Sequence, residues 1–193
     1  PLAWARVLAW VGILAALALG CAVQDSGPQR PKAVRGVLDL RGWDFQKDGP
    51  LRLDGEWEFY WQQLLRSEDF RCDASQPRDV EYLAVPGSWT GQVVKGEHLP
   101  GHGYATYRLR LLLDRPMTGL AMKVETAGTA YAVSVDGNPV AANGRVGISP
   151  EAHHAEFRPQ VFNIPSVGAE SEWVFTLSNF SYRKGGPWNP VSV

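Results

Sequence analysis

The sequence predicts an all-β protein: a sandwich or jelly roll of many short strands, preceded by an N-terminal hydrophobic signal helix. Apolar and polar residues alternate with period two in five segments between positions 56 and 178, as half-buried strands require. Gly-, Pro- and Asn-rich reversals separate those segments, as short antiparallel strands need. Before all of them runs an apolar stretch of different character.

That first stretch reads as a targeting segment. Arg6 is its one charge, positions 7–19 are Leu- and Ala-rich, and small residues follow at Ala18 and Gly20. A positive residue, a short apolar core and a small-x-small end describe a signal peptide over 1–23. An uncleaved anchor is the alternative, because the run from Trp4 approaches the roughly 20 residues that cross a bilayer. Leu17-Ala18-Leu19-Gly20-Cys21 resembles a bacterial lipobox, with Ala18 where Leu is usual. Cys21 is therefore the candidate lipidation residue. If its thiol survives in an oxidising compartment, a bridge to Cys72 is open to it. Residues 24–33, rich in Pro and Gln, read as a flexible linker, and the folded body is expected over 34–193. The chain begins with Pro1, both Met residues are internal, and it ends on Asn189-Pro190-Val191-Ser192-Val193, so it is expected to be truncated at both ends.

The body divides into the following elements. In 56–61, Trp57, Phe59 and Trp61 share one face. In 104–113, Ala105, Tyr107, Leu109, Leu111 and Leu113 oppose Thr106, Arg108 and Arg110. Leu120, Met122 and Val124 form a third apolar face, Tyr131, Val133 and Val135 a fourth, and Trp173, Phe175 and Leu177 a fifth. Asp136-Gly137, between Val135 and Val140, is the best hairpin turn. Positions 61–70 are the one stretch that looks helical.

Composition excludes several functions. Two Cys cannot build a disulfide framework or a four-thiolate zinc site. A net charge of -1 gives no ground for nucleic-acid binding. His153 and His154 are adjacent, so on a strand they point to opposite faces, and His98 and His102 lack nearby partners. No metal or cofactor is expected. Glu56 and Glu58 share a strand face opposite Arg-rich strands, which makes them ion-pair partners rather than a glycosidase pair. No catalytic residue is assigned, and the segment is expected not to be an enzyme.

What remains is an aromatic and polar set in turns: Trp89, Tyr104, Asn143, Arg145, Tyr182 and Trp188. A ring stacks on the apolar face of a sugar while amide and guanidinium groups bond its hydroxyls. Capping of sandwich ends is the competing role for the same residues.

The order of the segments carries a resemblance. Leu53-Asp54-Gly55-Glu56-Trp57-Glu58-Phe59-Tyr60-Trp61 comes first, then Val85-Pro86-Gly87-Ser88-Trp89. Gly103-Tyr104-Ala105-Thr106-Tyr107-Arg108 and Val133-Ser134-Val135-Asp136-Gly137 follow. Together they resemble the sugar-binding jelly roll of family two glycoside hydrolases, of the galactose-binding-like superfold. Asn143-Gly144-Arg145-Val146-Gly147 and Ser178-Asn179-Phe180 extend the match. The body is then similar to the periplasmic ectodomain of bacterial seven-transmembrane receptors with diverse intracellular signalling modules. That resemblance implies an exported sensory domain on the periplasmic side of the cytoplasmic membrane, with a carbohydrate or similar small polar ligand. Its membrane partners would be helices beyond this stretch, or a lipid on Cys21. The alternatives are the non-catalytic domain of a secreted glycosidase and a lipid-anchored carbohydrate-binding protein.

Overall fold

The computed structural model describes residues 30–72 and 80–193. The expectations for residues 1–23, for Cys21 and for its bridge to Cys72 lie outside the described residues. Where the chain is described, twelve strands form: β1 (Val37–Asp39), β2 (Gly55–Trp61), β3 (Glu81–Val85), β4 (Val93–Val94), β5 (Glu97–His98), β6 (Gly103–Leu112), β7 (Met117–Val124), β8 (Ala130–Val135), β9 (Asn138–Asn143), β10 (Gln160–Val167), β11 (Glu170–Asn179) and β12 (Val191–Ser192). One helix, α1 (Ser67–Cys72), interrupts them.

The larger sheet runs β3-β2-β6-β11-β8-β9, with every neighbouring pair antiparallel. β1 lies parallel to the far half of β6, pairing Val37 with Arg110 and Asp39 with Leu112. β2 occupies the near half of the same edge, from Trp61 opposite Ala105 to Glu58 opposite Arg108. The smaller sheet runs β10-β7-β12. Leu51 and Leu53 continue it, their amides donating to Val193 O and Val191 O.

The predicted faces form the core between the sheets. Trp57, Phe59, Tyr107, Leu109, Leu111, Val133, Val135, Trp173, Phe175 and Leu177 of the larger sheet pack with Met122, Val124, Ile164 and Val191 of the smaller. Each is almost fully buried, and burial of one such side chain contributes roughly 1.5–3 kcal/mol. The predicted hairpin is present. Asp136 (φ 52°) and Gly137 (φ 83°) both take the left-handed conformation that a two-residue reversal between Val135 and Asn138 requires.

One expectation changes. The helix is shorter and later than 61–70: Trp61 ends β2, Gln62 adopts φ 53°, and the helix spans 67–72. It also covers the second face of β2, which simple alternation leaves to solvent. Phe70 packs at a tilt against Tyr60, with centroids 5.3 Å apart, and lies 4.4 Å beneath the Arg108 guanidinium. The expected ion pairing of Glu58 is observed there. Arg108 Nη1 lies 3.1 Å from Glu58 Oε2 and its Nη2 2.6 Å from Glu172 Oε2, and Tyr60 donates to Glu58 at 2.8 Å. Burial, then the adjacent Glu58 carboxylate, pushes the Tyr60 hydroxyl well above its ordinary range.

Candidate functional site

Four connections meet at the end of the sandwich where β8 begins and β9 and β11 end: residues 86–102, 125–129, 144–159 and 180–190. A buried polar network binds them together. Asn179, at the end of β11, is fully buried. Its Nδ2 donates to Gly101 O (2.7 Å), Tyr182 O (2.7 Å) and Lys184 O (3.0 Å), and its Oδ1 accepts from Tyr182 N (3.1 Å). These partners fix the amide's orientation, since the reverse would face an oxygen to three carbonyls.

The network continues with assigned protons. Because Asn179 Oδ1 is an acceptor, Thr129 Oγ1 donates to it (3.1 Å). Thr129 must then accept from His153 Nε2 (3.0 Å). The other ring nitrogen, Nδ1, lies 2.8 Å from Ser178 Oγ, which accepts from Gly147 N (3.1 Å); in the neutral tautomer Nδ1 is the acceptor of that pair. The network thus places a proton on His153 Nε2. Burial, reinforced by neighbouring His154, holds its value below the ordinary 6.5. Asn143 makes a parallel clamp at the end of β9. Its buried Nδ2 donates to Glu156 O (3.1 Å) and Arg158 O (3.3 Å), on either side of Phe157.

On these supports stand three aromatic rings. Tyr182 is 41% and Phe157 57% exposed, with centroids 6.4 Å apart; Trp188, half-buried, lies 5.9 Å from Tyr182. Of the six residues chosen from sequence, Tyr182 and Trp188 therefore come together in the open. Asn143 lies beneath, as a clamp.

Trp89 is placed otherwise than its turn motif implies. Its side chain is wholly buried, Nε1 donates to Pro100 O at 3.1 Å, and the ring meets Trp61 at 5.5 Å. A side chain at Gly185 would overlap the Trp89 ring, and Trp89 N donates to Gly185 O. No ring face is left open for a ligand, and the residue seats the 180–190 connection. Arg145 is exposed and closes its own connection, Nε donating to Ala152 O at 2.9 Å. Tyr104 is half-buried, on β6 opposite Ser178. Phe157 was missed because no turn motif or alternation marks it, and Asn179 because it sits at the end of an otherwise apolar strand.

The outer face of the larger sheet carries a groove of about 630 Å³ between α1 and β9, floored by Ala132, Ser134, Val174 and Thr176. Among the described residues no three potential metal ligands cluster, and no helix is long and apolar enough to cross a membrane.

No family model matches the chain, and no curated protein matches it. Solved structures do. A β-glucuronidase from Lactobacillus rhamnosus matches with TM-score 0.50 and 14% identity, over 74% of this chain and 28% of that one. A β-glucuronidase from Ruminococcus gnavus, in complex with N1-substituted uronic isofagomine, matches with TM-score 0.50 and 13% identity, over 74% and 29%. A GH2 β-galacturonidase from Eisenbergiella tayi bound to galacturonate gives 0.49 and 15%, over 74% and 24%. The chain spans less than a third of the length of these enzymes, and the likeness lies in their β-sandwich part, not the catalytic domain. What the described residues share with the two β-glucuronidases is a fold, the galactose-binding-like β-sandwich.

Proposed function

We propose that this chain is a non-catalytic ligand-binding module that takes a carbohydrate or a similar polar small molecule at the 144–159 and 180–190 connections. The observation that carries the reading is the ring set of Phe157, Tyr182 and Trp188, the first two held by the buried amides of Asn143 and Asn179 and the third packed on Tyr182. Exposed rings on a preformed backbone suit a ligand with apolar faces and hydroxyl edges. The likeness to glycosidase sandwiches supports the same reading at the level of fold. A glycan array followed by titration tests it. Binding of a saccharide that weakens about tenfold in Tyr182→Ala and in Trp188→Ala is expected, a loss of about 1.4 kcal/mol; undiminished binding by both variants overturns the site.

The biological setting we propose is the periplasmic sensory domain of a bacterial membrane receptor, on the strength of the sequence resemblance. Ligand would shift the population between two arrangements of the ectodomain. The intact gene tests this reading. Seven apolar segments following Val193 are expected, and a stop codon directly after it would leave the lipid-anchored binding protein. A downstream barrel with two acidic residues at strand ends would instead make this the accessory domain of a glycosidase.

A further inference from the structure

The two connections that carry the exposed rings also carry four cations. Arg183 and Lys184 directly follow Tyr182, Arg158 follows Phe157, and Arg145 lies on the same connection as Phe157. All four are exposed. The two connections carry only two carboxylates, Glu151 and Glu156, and both are engaged. Glu156 Oε1 pairs with Arg158 Nη2 at 2.7 Å, and its Oε2 accepts from Gly144 N at 3.0 Å. A hydrogen bond from Ser149 holds Glu151 below the usual carboxylate range. Among the described residues no carboxylate lies within ion-pair distance of Arg145, Arg183 or Lys184. The whole chain is slightly acidic, at -1, so this excess of cations belongs to the site's connections and not to the surface at large.

The cations are also carried on fixed backbone. Asn179 bonds the carbonyls of Tyr182 and Lys184, one on each side of Arg183, and the Arg183 carbonyl packs where a side chain on Gly101 would stand. Ligand binding therefore does not have to order that stretch of backbone, which removes one of the usual costs of association. A neutral sugar stacked on the rings offers Arg183 and Lys184 no charged partner. A ring carboxylate or sulfate gives a guanidinium two parallel N–H···O bonds, roughly twice as strong as neutral ones.

We infer that the ligand is an acidic carbohydrate, bearing a carboxylate or sulfate beside the sugar face that the rings contact. This rests on the carbohydrate reading above. The test is a glycan array of matched pairs, probed with the full chain. The pairs are oligouronates with free and with methyl-esterified carboxylates, and sulfated chains with their desulfated counterparts. At least one acidic member is expected to bind about tenfold or more tighter than its neutral twin, with the advantage shrinking at high salt. The double variant Arg183→Gln/Lys184→Gln should lose that advantage, keep the neutral affinity and unfold at the wild-type temperature. Which pair responds separates carboxylate from sulfate. Equal binding of acidic and neutral members, with Tyr182→Ala still harmful, overturns the inference and leaves the site standing. Binding by no member, or indifference to Tyr182→Ala, overturns the site itself and the inference with it.

Discussion

Asn179 and Tyr182 are joined through both ends of one buried side-chain amide: Asn179 Nδ2 donates to Tyr182 O at 2.7 Å while Oδ1 accepts from Tyr182 N at 3.1 Å. The exposed ring of the candidate site thus rests on a residue with no exposure of its own. Asn179→Ala strands three carbonyls and an amide N–H inside the protein. A cost on the order of 3 kcal/mol is expected in urea unfolding, with loss of ligand binding before global unfolding.

Tyr182 and Trp89 should separate cleanly in a stability assay. Tyr182→Ala removes a 41% exposed ring and should change stability by within about 0.5 kcal/mol. Trp89→Ala opens a cavity against Trp61 and the Gly185 backbone and should cost about 3–5 kcal/mol. Denaturant midpoints decide between these roles; equal effects from the two variants would contradict the burial difference.

His153 makes stability acid-sensitive. Its folded value lies below 6.5, so the neutral form's stability is complete above that value and is lost as pH falls through the folded value. A proton on Nδ1 would make Ser178 Oγ accept from both His153 and Gly147 and deprive its own hydroxyl proton of the Nδ1 acceptor. Burial first, then neighbouring His154, disfavours that charge; the other charged groups on the packed connections are Arg145, Arg158, Arg183 and Lys184, with Glu151 and Glu156 engaged elsewhere. The melting temperature should drop between about pH 7 and about pH 5, and less so in His153→Gln. Parallel pH profiles for the two proteins would remove His153 as the cause.

Arg108 is the hub of the outer face. Arg108→Met leaves Glu58 and Glu172, 8% and 18% exposed in their side chains, without their shared cation. A loss of roughly 3 kcal/mol is expected. Adding Glu58→Gln and Glu172→Gln to the Met variant should restore much of it, since the uncompensated charges are then gone. A triple variant no more stable than the single one would argue that Arg108 acts through its contact with Phe70.

Much of the fold is legible in the residues. The alternations at Tyr107, Leu109 and Leu111, and at Trp173, Phe175 and Leu177, mark core strands because a pleated backbone sends every second side chain inward. Less legible was β10, where Pro165 breaks the pattern. It is tolerated because β10 is an edge strand and Ile164 and Ser166 keep the pairing to Leu120 and Thr118. β1, three residues long and parallel to β6, carries no local signal.

The candidate site was half legible. Tyr182 and Trp188 stood out as aromatics among turn residues, yet Trp89 in Pro86-Gly87-Ser88-Trp89 looked the same. What distinguishes them is Gly185, 96 positions beyond Trp89, whose missing side chain makes room for the Trp89 ring.

By itself, then, the sequence determined the strand faces, the Asp136-Gly137 reversal and the pairing of Glu58 with arginine, because strand period and turn conformation are local properties. Only the tertiary structure decided which aromatics are open, which are core and which amides are clamps. Those depend on residues far apart in the chain, such as Asn143 with Arg158, Thr129 with Asn179 and Trp89 with Gly185, meeting at one end of the sandwich. Burial at a strand end depends on which loops fold over it, and the chain order of residue types does not specify that.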